Sequence, residues 1–109
     1  MKLITAIVNK KDAVFVSDAL RDHGIYHTKM ATSGGFLGKG NVTLLIGVED
    51  ELLETALEEI KNHCRQRMEQ LPTFPVTPNG IARMNYMSTQ VLVGGATVFV
   101  TDVVRFEKY

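Results

Sequence analysis

Four glycines fall within Ser33-Gly34-Gly35-Phe36-Leu37-Gly38-Lys39-Gly40, ahead of Asn41. Successive N–H groups in such a loop can converge on an anion, and glycine lets a ligand touch the main chain. Phe36 sits in the middle, where an aromatic side chain can stack on a flat base. The competing reading is that Gly34 and Gly40 only shape a hairpin while Phe36 packs on a neighbouring subunit. The residues alone leave both open. Thr28 and Asn41 bracket the loop and can hydrogen-bond a base edge or a phosphate oxygen. Taken alone, they read first as ordinary polar strand residues. The loop is not a Walker A motif, because Gly38-Lys39 is followed by Gly40 rather than Ser or Thr, and a strand follows instead of a helix. No Gly-x-Gly-x-x-Gly fingerprint is present either.

Other reactive residue types give less. His23, His27 and His63 lack metal-ligand spacing, so no metal site is expected. His23 reads as a helix-end residue and His27 as exposed or at a subunit edge. Cys64 lies on an apolar helical stripe and reads as a buried structural thiol. Glu51, Glu54, Glu58 and Glu59 read as a solvated face. No Ser-His-Asp or paired-carboxylate arrangement emerges, which points away from an enzyme.

The bulk numbers set limits. The 109 residues suit one domain, 1–109, and 45% hydrophobic residues can fill its core. Lys+Arg and Asp+Glu both number 12. That balance argues against DNA, RNA or an anionic membrane as partner, since such binding rests on neutralising many phosphates. One cysteine fits a reducing cytoplasm. No apolar run approaches the ~20 residues of a membrane span, and Leu3–Val8 is too short for a signal-peptide core.

The elements that would position these residues follow from periodicity. Leu3–Val8 predicts a buried strand. Asp12 is a candidate N-cap for a helix over Ala13–His23, with Gly24 in the left-handed cap and Ile25 as its apolar partner. Tyr26–Thr32 and Asn41–Val48 predict strands of an antiparallel hairpin. Leu53, Ala56, Leu57, Ile60, Cys64, Met68 and Leu71 predict one long helix over Asp50–Leu71. Pro72, Pro75 and Pro78 rule out regular structure to about residue 80. Asn79-Gly80 signals a tight turn, and Pro72–Thr89 reads as a long loop. Gln90–Val93 and Ala96–Phe106 predict strand, broken at Gly94-Gly95 by a bulge, a bend or a close approach.

The order is that of an α+β, ferredoxin-like βαββαβ antiparallel sheet with two helices on one face. Leu3, Ile7, Leu44, Ile46, Val98 and Val100 leave little of the sheet polar. Its second face is therefore expected to pack against other subunits.

Longer stretches carry a resemblance. Thr28-Lys29-Met30-Ala31-Thr32-Ser33-Gly34-Gly35-Phe36-Leu37 with Gly40-Asn41-Val42-Thr43, and Val93-Gly94-Gly95-Ala96-Thr97-Val98-Phe99-Val100, resemble the two signatures of the PII-like cyclic di-AMP receptors of Gram-positive bacteria. Met1-Lys2-Leu3-Ile4 and Ile46-Gly47-Val48-Glu49-Asp50 also fit, so the resemblance spans nearly the whole chain.

It implies a PII-like homotrimer of ferredoxin-like subunits that binds one cyclic di-AMP at each subunit interface, without catalysis and without a further cofactor. Matching positions are Thr28, Gly35, Phe36, Leu37, Asn41 and Gly47. Thr28 would contact a phosphate, Phe36 and its neighbours would line the base pocket, and Asn41 would read the adenine edge. Phe99 would pack near the site. The chain departs from the pattern where the family has arginine (here Tyr26), asparagine (here Gly24) and a glutamine-containing end (here Phe106-Glu107-Lys108-Tyr109). The usual Met-Gly-Gly of the long loop is also missing from Asn79–Tyr86. Losing the arginine removes a charge-assisted phosphate contact. Lys108 and His27 are the cations on hand to replace it. The expected function is a cyclic di-AMP sensor that signals to an unknown protein partner. The alternative is an orphan trimeric interaction module that binds another nucleotide, or no cyclic di-AMP.

Overall fold

The computed structural model describes residues 1–32, 40–73, 76–77, 80–81 and 87–109, with the backbone alone at 32, 71–73, 76–77, 80–81 and 87–89. The first strand, β1 (Lys2–Asn9), has a period of two. Ile4, Ala6 and Val8 are fully buried, while Leu3, Thr5 and Ile7 are half-buried on the other face. Such alternation marks a sheet covered on one side.

Helix α1 (Lys10–Asp22) starts at Asn9, whose side chain accepts the Lys11 N–H at 2.8 Å. The N-cap is thus Asn9 rather than Asp12. Asp12 sits inside the first turn, buried, and its carboxylate is used elsewhere. The C-terminus follows the expected motif. Gly24 has φ +71°, its N–H donates to Arg21 O, and the buried Ile25 donates to Leu20 O, each at 2.8 Å.

Strands β2 (His27–Thr32) and β3 (Asn41–Val48) form the predicted hairpin, from His27 opposite Ile46 to Thr32 opposite Asn41. The loop joining them, 33–39, lies outside the described residues.

Helix α2 is Asp50–His63 and ends at Cys64, well short of the predicted Leu71. Met68 and Leu71 continue the apolar spacing but belong to β4 (Arg67–Thr73). A tertiary contact overrides the period: the Cys64 carbonyl accepts the N–H of Gly95. β4 pairs with β7 (Met87–Val93), from Arg67 opposite Val93 to Thr73 opposite Met87. β5 (Val76–Thr77) pairs with β6 (Gly80–Ile81). The region expected to be irregular therefore forms two short ladders. Pro72 fits because each strand of a two-stranded sheet keeps an unpaired edge.

Strand β8 (Ala96–Asp102) completes a four-stranded sheet in the order β2-β3-β1-β8, antiparallel throughout. β7 and β8 thus belong to different sheets, and β8 stops before Phe106. The core joins Ala13, Val16 and Leu20 of α1, Ala56 and Ile60 of α2, and Ile4, Leu44 and Ile46 of the sheet. Leu44, Ile46, Val98 and Val100 share this helix-covered face, since Val98 and Val100 pair with Ala6 and Ile4. The open face instead carries Leu3, Thr5, Ile7, Leu45, Gly47 and Phe99. The result is the predicted α+β, ferredoxin-like plan with both helices on one side.

Candidate ligand site

The expected ligand residues fall into two groups on one chain. The first surrounds a cavity of about 480 Å³ at the Met1 end of the sheet. Tyr26, His27, Thr28, Gly47 and Lys108 line it, joined by Met1, Leu45, Phe106 and Glu107. Thr28 lies opposite Leu45 on the open face. Gly47 follows two residues on, and a Cβ there would meet no atom within 4 Å, so its missing side chain leaves the floor open. Tyr26 precedes β2 and is 88% exposed.

The C-terminal tail forms the remaining wall. The Val103 N–H donates to the Met1 carbonyl at 3.2 Å, which turns the tail back over the sheet. Glu107 accepts from the Tyr109 hydroxyl and from Arg105 Nη2, each at 2.6 Å. These two bonds, Tyr109 first, hold the Glu107 carboxyl below its ordinary range. The same contact raises the Tyr109 phenol. An anion and the cation of Lys108 thus stand side by side at the rim. The His27 ring is already engaged: Nε2 shares a 2.8 Å hydrogen bond with Ser17 Oγ on α1, and Nδ1 lies 3.5 Å from the Ile25 carbonyl.

The second group lies at the other end of the sheet. Asn41 pairs with Thr32 and with Asn9, whereas Thr28 pairs with Leu45, four residues along β3. At ~3.3 Å per residue this sets Thr28 and Asn41 about 13 Å apart. Asn41 lines a separate cavity of about 220 Å³ with Ile7, Gln66, Gly94, Gly95, Ala96 and Thr97. Phe99 lies on the open face opposite Thr5, 54% exposed, and lines neither cavity. Gly35, Phe36 and Leu37 lie outside the described residues.

The close approach signalled by Gly94-Gly95 is made by the chain itself. Both glycines have positive φ, +80° and +85°. A Cβ on Gly94 would stand 2.5 Å from Arg65 O, and one on Gly95 2.9 Å from Gln66 Cγ. The pair lets the turn from α2 into β4 cross over the turn from β7 into β8.

Sequence reasoning did not single out Gln66 and Thr97 as cavity residues. For Thr97 a signal existed, since alternation along β8 sets it on the same face as Phe99. Gln66 carried none, because it fell inside the predicted helix. His23 and His63, from different helices, converge on Glu59: His23 Nε2 lies 3.1 Å from Oε1 and His63 Nε2 lies 3.3 Å from Oε2. Among the described residues no group of three His, Cys, Asp or Glu is arranged to hold a metal ion. The Cys64 thiol is 2% exposed, and burial, followed by the nearby Asp12 charge, pushes it up to about 12.

A family model described as the cyclic-di-AMP receptor matches residues 1–109. The chain belongs to this family. The chain also superposes on the crystal structure of a functionally unknown protein from Pediococcus pentosaceus ATCC 25745, with a TM-score of 0.76. The two are 41% identical, and the match covers 99% of this chain and 96% of the other. No helix among the described residues is long and apolar enough to cross a membrane.

Proposed function

We propose that this receptor binds cyclic di-AMP between the subunits of a homotrimer and acts as a non-catalytic cytoplasmic sensor. The observation that carries the reading is the separation of the two half-sites. Thr28 of the Tyr26–Thr28–Gly47–Lys108 cavity and Asn41 of the second cavity lie about 13 Å apart along β3, so neighbouring subunits can each present one half to a dinucleotide. The open sheet face supports the assembly. Leu3, Ile7 and Leu45 are half-buried, and Met30 and Phe99 are 40% and 54% exposed, which is apolar surface that a second copy would cover.

In this reading Thr28 and Lys108 hold a phosphate, Asn41 reads an adenine edge, and Gly35, Phe36 and Leu37 contribute to the base pocket. Phe99 lies against the neighbouring subunit. Tyr26, standing where the family has arginine, offers a ring rather than a charge. Ligand-dependent rearrangement of loops would signal to a protein partner.

Calorimetric titration with cyclic di-AMP, together with sedimentation to measure mass, tests the proposal. Saturable binding of one dinucleotide per subunit by a particle of three chains is expected. Absence of binding at high cyclic di-AMP would leave the orphan interaction module in its place.

A further inference from the structure

The β4–β7 ladder forms an arm, and the cavity at its root includes Gln66, which neither sequence signature contains. Its floor is Ile7 of β1. Asn41 and Thr97 rise from the strands on either side of β1, where Asn41 faces Asn9 and Thr97 faces Ile7. Gln66 enters from the α2–β4 turn, carried there by the Gly94-Gly95 crossing, with its Cγ directly over Gly95. At about 220 Å³ the cavity falls below the ~300–1,000 Å³ of pockets that enclose whole drug-sized ligands. It suits one flat ring.

Two amides and a hydroxyl surround an apolar floor. An amide offers one donor and one acceptor side by side. That pair matches the amino group and adjacent ring nitrogen of adenine, whereas the corresponding guanine edge shows two acceptors. We infer that Gln66, with Thr97, is an adenine-selecting residue, forming with Asn41 a base pocket at the arm root. The inference rests on the proposed dinucleotide ligand and adds to it which residues choose the base. It also gives the arm a direct link to the ligand, because Gln66 immediately precedes β4.

The test is calorimetry with cyclic di-AMP and with cyclic di-GMP on the full chain and on Gln66→Ala and Thr97→Val. Gln66 is exposed, so its truncation should leave the melting temperature within a degree or two. Gln66→Ala is expected to weaken cyclic di-AMP about tenfold and to shrink the ratio of cyclic di-AMP to cyclic di-GMP affinity by a similar factor. Thr97→Val is expected to act in the same direction by a smaller factor. If both variants keep the wild-type ratio, even with both dinucleotides weakened alike, the base-selecting role is overturned while the ligand stands. If the wild-type chain binds no cyclic di-AMP, the ligand reading falls and the pocket assignment falls with it.

Discussion

Arg67 grips Asp12 with both terminal nitrogens: Nη2 donates to Oδ1 at 2.8 Å and Nη1 to Oδ2 at 3.3 Å. Asp12 lies in the first turn of α1 with its side chain 4% exposed, and Arg67 is the first residue of β4. The pair fixes the base of the arm to the helical layer. Nη1 also donates to the Arg65 carbonyl at 3.2 Å, and Nε donates to Glu69 at 3.2 Å. Hydrogen bonding to Asp12 comes first among the causes that raise the guanidinium.

Removing one partner should therefore hurt more than removing both. Arg67→Ala strands a buried carboxylate, and the melting temperature should fall by about 5 °C or more. Asp12→Asn keeps the shape and loses only charge, so its drop should be smaller. The Asp12→Asn, Arg67→Ala double variant should recover part of the loss. A thermal melt of the four proteins checks this, and strictly additive drops would contradict the pairing.

Cys64 should be silent in the folded chain. Its thiol is buried and pushed up from 9.0 to about 12, first by desolvation and then by Asp12. An alkylating reagent at pH 8.5 should leave native protein unmodified for hours and label one thiol per chain in denaturant. The sign of the pH effect follows. A thiol whose folded value is raised keeps its stabilising contribution below its unfolded value, so the contribution is intact up to about pH 9 and is lost as pH climbs toward 12. Cys64→Ser should remove this alkaline component. A denaturation midpoint measured against pH between 8 and 11 checks it.

Local chemistry decided how much of this was legible beforehand. Asn41–Val48 and the Gly24–Ile25 cap were readable because β-branched alternation and a left-handed glycine each leave a local mark. The end of α2 was not. Met68 and Leu71 keep helical spacing, and what stops the helix is a backbone bond from Gly95, about thirty residues away in sequence. Asp12 looks like a cap because it is an acidic residue at a helix start, and only the fold shows that Arg67 claims it. Thr28 and Gly47 stand out by resemblance and Tyr26 and Lys108 as departures from it, but that the tail shares their cavity depends on contacts such as the Val103–Met1 backbone bond, which no short sequence window contains.

The two kinds of positive-φ glycine should respond differently. Gly24 has φ +71°, but a Cβ added there would meet no atom within 4 Å, so only backbone strain opposes substitution. Asparagine tolerates that region, and Gly24→Asn should change stability by less than about 1 kcal/mol. Gly24→Val should lose about 1–2 kcal/mol. Gly94→Ala adds a backbone clash at 2.5 Å to the strain and should lose about 3 kcal/mol or more. Urea unfolding of the three variants ranks them. Gly94→Ala tolerated as well as Gly24→Asn would contradict the tight crossing at Arg65.

The rim of the larger cavity predicts how charge tunes the ligand. Lys108 and Glu107 oppose each other there, and Glu107 is kept ionised by Tyr109 and Arg105. Against a ligand with two phosphates, Lys108→Ala should weaken binding about three- to tenfold and flatten its salt dependence. Glu107→Gln should strengthen it by about two- to fivefold, because a repulsion disappears while Lys108 stays. Tyr26→Arg, in the wall beside Thr28, should strengthen it most, by about tenfold, through a bidentate phosphate contact that the natural tyrosine does not make. Titrations with cyclic di-AMP at about 50 and 200 mM salt separate these effects. Equal affinities for all four proteins at low salt would place the phosphates away from this wall, on the far side of the Thr28–Gly47 floor.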